Sequence, residues 1–247
     1  MNINSYSQAK QDIYVLNVLK GKKNGYFVEL GSNDPITISN TYVLEKDYDW
    51  SGIMVEYDPK YLDSYKDKRQ NSIHVINDAT TINFIELFEK NNTPSNIDYL
   101  QIDLEPENRS TLTTLENMDN SGVFDKYKFA TITFEHDLYR YYHDGKLDII
   151  KKNFTDTKNK SKEIFQKHGY IMVFENINNE EDLTSLFEDW YVHPDLVDMN
   201  HIQEIINKNK DNYKNYLARR YCLLIKRYKT FGIYDILTRH NNFLFFL

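Results

Sequence analysis

The feature that most constrains this chain is a short apolar run that ends in an acid and a glycine, Tyr26-Phe-Val-Glu-Leu-Gly-Ser-Asn-Asp-Pro35. The apolar and aromatic residues around Glu29 suit a buried strand. Gly31 follows at its carboxyl end, where a bare backbone lets a ligand approach closely. Further along, Gly52-Ile-Met-Val55 ends the same way, in Glu56. Two adjacent parallel strands that both end in an acid are one way an open α/β sheet holds a ribose-bearing cofactor. The ligand then sits beyond the carboxyl ends of the strands, where strand order reverses.

The rest of the chain repeats this pattern. Ser72–Ile76 leads into Asn77-Asp78-Ala79, Ile97–Ile102 into Asp103, and Phe129–Phe134 into Glu135-His136-Asp137. Tyr170–Phe174 and Phe187–Pro194 read as two further strands, antiparallel partners of each other. Helices are expected over Ser5–Gly21, opened by a Ser5/Gln8 capping box, and from Ser39 or Asn40 to Lys46. Others are expected over Thr81–Lys90, over Leu112–Met118 and in a long polar stretch through Phe165. The β-α rhythm implies right-handed crossovers and a mainly parallel sheet, an α/β, Rossmann-like, doubly wound fold. Acids at five strand ends on one edge mark a functional rim.

Composition narrows the class. With 8 Gly and 5 Pro in 247 residues, a β-sandwich, a collagen-like chain and a long flexible linker are all disfavoured. A net charge of −7 argues against a nucleic-acid binder. After residue 200, nine Lys and Arg face three acids. Two parts are therefore expected, a domain over 1–200 and a basic helical extension over 201–247. The extension reads as a solvated face packed on the domain or on a second subunit, as a dock for a phosphorylated substrate, or as an interfacial helix anchored by Phe243–Leu247. Cys222 alone makes no internal disulfide. The first residues lack a leader's apolar segment, and no run reaches the ~18–20 apolar residues of a membrane span. A reducing cytoplasm is the default setting.

The cofactor follows from what the first turn lacks. A dinucleotide needs Gly-x-Gly-x-x-Gly there, and this chain has one glycine followed by Asp34. A pyrophosphate would meet repulsion. S-adenosylmethionine fits better, because it has a ribose, an adenine and an ammonium but no phosphate.

These residues carry a family resemblance. Ser7-Gln8 with Gln11-Asp12, Tyr26 to Pro35, Ser39-Asn-Thr-Tyr42, Leu44-Glu-Lys46, Trp50 to Glu56, Ile97 to Glu105 and Phe187 to Pro194 resemble the FkbM-type methyltransferases of the class I superfamily. The resemblance spans about residues 5–198. It departs at Pro106, where the family often has glycine, and at Tyr57, where it often has proline. It implies a seven-stranded sheet with helices on both faces, and methylation of a hydroxyl on a sugar or another small metabolite. Carried over by position, Glu29, Gly31, Ser32, Asn33 and Asn40 belong to the methionine end. Glu56 binds the ribose, Asp78 with Ala79 flanks the adenine, and Asp103 completes the cofactor set. The acceptor expected is a nucleotide-activated or surface-polysaccharide sugar. A non-catalytic S-adenosylmethionine-binding protein is the alternative.

Methyl transfer to an alcohol needs alignment and a proton acceptor. Two arrangements of the rim remain open. In one, Asp103, Glu135 and His136 hold Mg²⁺, Mn²⁺ or Fe²⁺. In the other, His136 is the general base, with Asp103 and Asp137 beside it. Asp78 also has a plain structural reading, as a helix cap.

Overall fold

In a computed structural model of the chain, residues 4–142, 147–178 and 186–209 are described. Seven strands form one sheet: β1 (Tyr26–Leu30), β2 (Ser51–Glu56), β3 (Ser72–Ile76), β4 (Asn96–Ile102), β5 (Lys128–Glu135), β6 (Ile171–Ile177) and β7 (Glu188–Val192). Their order is β3-β2-β1-β4-β5-β7-β6. The first five are parallel, and β7 runs antiparallel to both β5 and β6. Strand order reverses between β1 and β4, which puts a switch point beside Gly31. The fold expected from the sequence is present, including the antiparallel pairing of the last two strands.

The helices are α1 (Gln11–Val18), α2 (Tyr42–Tyr48), α3 (Leu62–Lys68), α4 (Phe84–Lys90), α5 (Ser110–Asn120), α6 (Val123–Lys126) and α7 (Asp148–Lys167). Side chains alternate across the sheet, and the two faces differ in chemistry. One face carries Val28, Leu30, Ile53, Val55, Leu100, Ile102, Ile132 and Phe134. These share a core with Phe84 and Phe88 of α4, Leu115 and Met118 of α5, and Phe165 of α7. The other face holds a row in register, Glu29, Gln101, Thr133 and Trp190. There α1 lays Tyr14 flat on Trp190, ring centroids 4.4 Å apart. The sheet thus spends its apolar residues on one side and keeps polar groups under α1.

Local chemistry redraws some expected boundaries. Helix α1 starts only at Gln11, because the Asp12 carboxylate gathers the segment before it. It accepts from Ser5 Oγ (2.7 Å), Ser7 Oγ (2.6 Å) and the Tyr6 N–H (2.9 Å). The Ser5/Gln8 capping box does not form, and Ser7 makes a parallel bridge to Ile38 instead. The helix expected from Thr81 splits in two. Asp78 accepts from the Thr80 N–H and opens a 3₁₀ turn over Ala79–Thr81, while Asn83 caps α4. Residues 199–209 are helical and continue past the boundary expected at 200. The basic helix expected over Tyr213–Tyr228, the Phe243–Leu247 anchor and Cys222 lie outside the described residues.

One buried ion pair ties the front of the sheet together. Arg69, at the end of α3, is fully buried, and its Nε donates to Glu45 of α2 at 2.8 Å. Its other nitrogens donate to Pro35 O, Ser39 Oγ and Thr41 Oγ1. Glu45 also accepts from the Asn71 N–H and Ser72 Oγ. Replacing Arg69 by Leu leaves Glu45 buried without its cation. The expected loss is about 3–5 kcal/mol of unfolding free energy, measured by denaturant titration.

Candidate functional site

A cavity of about 760 Å³ opens at the carboxyl ends of β1, β2, β3 and β4. That lies inside the roughly 300–1,000 Å³ of small-molecule sites. Glu29, Gly31, Ser32, Asn33, Asn40, Glu56, Asp78, Ala79 and Asp103 all line it. The nine residues singled out for a cofactor, spread over four strand ends, are therefore brought to one place.

Each is held by a local reason. Gly31 has φ +86°, and a Cβ there would lie 1.8 Å from the Asp103 carbonyl oxygen. Any side chain would push β1 and β4 apart. Glu56 is fixed by two backbone donors, Asn33 N–H to Oε2 and Asp58 N–H to Oε1, both 2.8 Å. Asn33 takes a left-handed turn at φ +50°, and its Oδ1 accepts from Tyr61 OH at 2.6 Å. Its carbonyl accepts from Tyr65 OH. Asp78 caps the 3₁₀ turn through Oδ1 and still lines the cavity. The capping and ligand readings of Asp78 are compatible.

At the inner end the acids lack partners. Glu29 Oε2 and Asn40 Oδ1 are buried with no hydrogen bond among the described residues. Burial raises the Glu29 carboxyl, opposed by the charge of Arg69. Burial and the neighbouring Asp137 and Glu29 push Asp103 up to about 8. Such groups bind protons or cations readily near neutral pH.

The rim beyond β5 is arranged differently from expectation. Glu135, His136 and Asp137 do not line this cavity. His136 is fully buried, accepts from the Leu138 N–H at Nδ1 (3.2 Å), and holds Nε2 3.3 Å from Asp189 Oδ1. Lys158 of α7 reaches the same carboxylate. His136 therefore sits in a buried polar cluster, an arrangement that does not suit a base for a substrate in the cavity. Asp137 accepts from Arg140, which also pairs with Glu105 at the cavity wall. Among the described residues, no three His, Cys, Asp or Glu side chains converge to hold a metal ion. The expected set Asp103, Glu135 and His136 does not fit one, and no step is routed through a metal.

Two kinds of residue escaped the sequence reading. Gln8, Tyr57, Lys60 and Tyr61 line the cavity from loops with no strand-end signal. Glu188, the first residue of β7, is buried opposite Glu135 and accepts from Trp190 Nε1 at 2.6 Å. Burial and the charge of Asp103 push it up to about 8, against that hydrogen bond. An acid inside the apolar run Phe187-Glu-Asp-Trp-Tyr-Val192 was the available signal.

No family model matches the sequence, the FkbM type included, and no curated protein matches it significantly. Solved structures resemble it in overall shape. A putative rRNA-methylase from Clostridium thermocellum aligns over 78% of this chain and 99% of its own, at 10% identity and TM-score 0.46. A TehB-like SAM-dependent methyltransferase from Corynebacterium glutamicum aligns over 77% and 89%, at 10% identity and TM-score 0.43. Aeropyrum pernix fibrillarin, with natively bound S-adenosyl-L-methionine, aligns over 75% and 76%, at 14% identity and TM-score 0.42. At these values the likeness decides nothing about ligand or reaction, and the strand order and the cavity are the evidence.

The raised acids have a measurable consequence. In the unfolded chain Asp103 and Glu188 release their protons near pH 4, and in the fold near pH 8. The folded state therefore binds more protons across that window, and stability falls as pH rises through it. Asp103→Asn and Glu188→Gln should each flatten the fall and raise the Tm of the free protein above about pH 8. Calorimetric Tm against pH checks this, and an unchanged slope in both variants overturns it.

Proposed function

We propose that this protein is an S-adenosylmethionine-dependent O-methyltransferase of the FkbM type. Its acceptor would be a carbohydrate hydroxyl on a nucleotide-activated or capsule-type sugar, and its setting the cytoplasm. The observation that carries the reading is the single cavity shared by Glu29, Gly31, Glu56, Asp78 and Asp103 at the sheet's switch point.

The residues fit that cofactor one part at a time. The unpartnered Glu29 Oε2 suits an ammonium, and the backbone at Gly31 admits a close neighbour. The Glu56 oxygens, already oriented by two N–H groups, retain lone pairs for ribose hydroxyls. Asp78 has Oδ2 available beside Ala79 for the adenine amine. When bound, the cofactor would supply an electrophilic methyl group on a sulfonium.

The chain's own part is to orient, exclude water and accept a proton. Asp103 is the proposed proton acceptor, because it lines the cavity and titrates near the working pH of a general base. This assignment replaces His136. The acceptor's phosphates, in a nucleotide sugar, would lie outside the acidic cavity. Among the described residues, no helix is long and apolar enough to cross a membrane.

A second reading has one observation in its favour. Glu135, His136 and Asp137 stay off the cavity, as expected of a protein that binds the cofactor without turning it over. One experiment separates the two. Incubation with methyl-labelled S-adenosylmethionine and a panel of free and nucleotide-linked sugars, with and without chelator, should give a methylated product by mass spectrometry. Asp103→Asn should lower the rate by about 10²-fold or more. Glu56→Ala should weaken cofactor binding at least tenfold, the size of a lost charged hydrogen bond. Binding without product on the whole panel would favour the second reading, and no binding would overturn both.

A further inference from the structure

Six carboxylates line the cavity, Glu29, Glu56, Asp58, Asp78, Asp103 and Glu105. Lys60 is the one cation among the described lining residues, and its Nζ lies 2.6 Å from Asp58 Oδ2. These charges suit an ammonium and repel a carboxylate. An amino-acid arm carries both. Its carboxylate must be met here by neutral N–H donors, since a buried anion left unpaired is costly.

The N-terminal segment supplies such a donor. Gln8 lines the cavity, and its carboxamide makes no hydrogen bond to another described residue. The segment around it is pinned on both sides. Ser7 bridges to Ile38, itself on the cavity wall, and the Ala9 N–H donates to Gln11 Oε1 at 2.8 Å. The fully buried Asp12 holds Ser5, Tyr6 and Ser7 through one carboxylate. That carboxylate is why the chain before α1 runs along the Ile38–Asn40 loop and not as another helical turn.

We propose that Gln8 binds the α-carboxylate of the cofactor's amino-acid arm, and that Asp12 is the positioning residue that holds it there. The inference rests on the S-adenosylmethionine reading above. It divides the arm's recognition between strand-end acids, which take the ammonium, and an amide from the N-terminal segment, which takes the carboxylate. Neither Gln8 nor Asp12 belongs to a strand end.

Isothermal titration of the full chain with two ligands tests this. One is S-adenosylhomocysteine, and the other is its decarboxylated analogue S-adenosyl-3-thiopropylamine, which keeps the amine. Gln8→Ala should weaken S-adenosylhomocysteine about tenfold, the size of one hydrogen bond to a charged group, and leave the analogue within about twofold. Gln8→Glu should weaken it further, by placing a negative charge against the carboxylate. Asp12→Asn should reproduce the ligand-selective loss, and adding it to Gln8→Ala should cost nothing more. If Asp12→Asn does not fold, Ser7→Ala removes one of the same hydrogen bonds and is read in its place. Equal losses on both ligands, or none, overturn the role of Gln8. Selective loss with Gln8→Ala but equal losses with Asp12→Asn overturns only the positioning role. A wild-type chain that binds neither ligand overturns the cofactor reading itself.

Discussion

The site depends on how closely β1 and β4 approach each other at their carboxyl ends. Gly31 leaves β1 with its amide donating to Val55 O, and Asp103 donates its N–H to Leu30 O. The Asp103 carbonyl then occupies the space a Cβ on residue 31 would need. Because the chains part on opposite sides of the sheet just beyond, a crevice forms there and nowhere else along the rim. The glycine sets the crevice, and the acids on either side give it its charge.

Those acids fall into two energetic groups. Glu56 and Asp78 are satisfied by backbone N–H groups, so the fold itself holds them ionised and oriented. Glu29, Asp103 and Glu188 are buried against one another with few donors, and burial raises all three. Unpaired buried carboxylates cost stability. The apolar face of the sheet, with Phe134, Phe165 and their neighbours, offsets that cost on the opposite side. A cation arriving in the cavity relieves it directly. The outer acids shape the site and the inner ones hold its affinity in reserve.

Much of this was legible in the sequence, for identifiable reasons. Buried parallel strands are apolar runs, and their carboxyl ends stand out when an acid or glycine follows, as at Glu29, Glu56, Asp78 and Asp103. Two things were not legible. Sequence adjacency at the end of β5 does not tell which way a side chain turns, and one residue's step moves His136 away from Glu135, toward Asp189 and Lys158 of the α7 side. At the amino end, Ser5 and Gln8 have the spacing of a helix cap. The competing interaction is Asp12, which outbids that cap with several hydrogen bonds to the segment before it. Both misreadings arise where a tertiary or medium-range polar contact overrides a local pattern.

The place of β7 has a consequence for how the chain is made. The last strand in sequence is not the last in the sheet, since β7 lies between β5 and β6. Until residue 192 has left the ribosome, β5 presents an open edge and β6 has no strand to join. Every earlier strand can dock on a neighbour already synthesised, but this insertion waits for the return of a distant segment, a slow closure on topological grounds. A nascent chain stalled before Glu188 therefore carries an unpaired central strand, the kind of edge that recruits other chains. The order of synthesis makes β7 the closing element of the sheet.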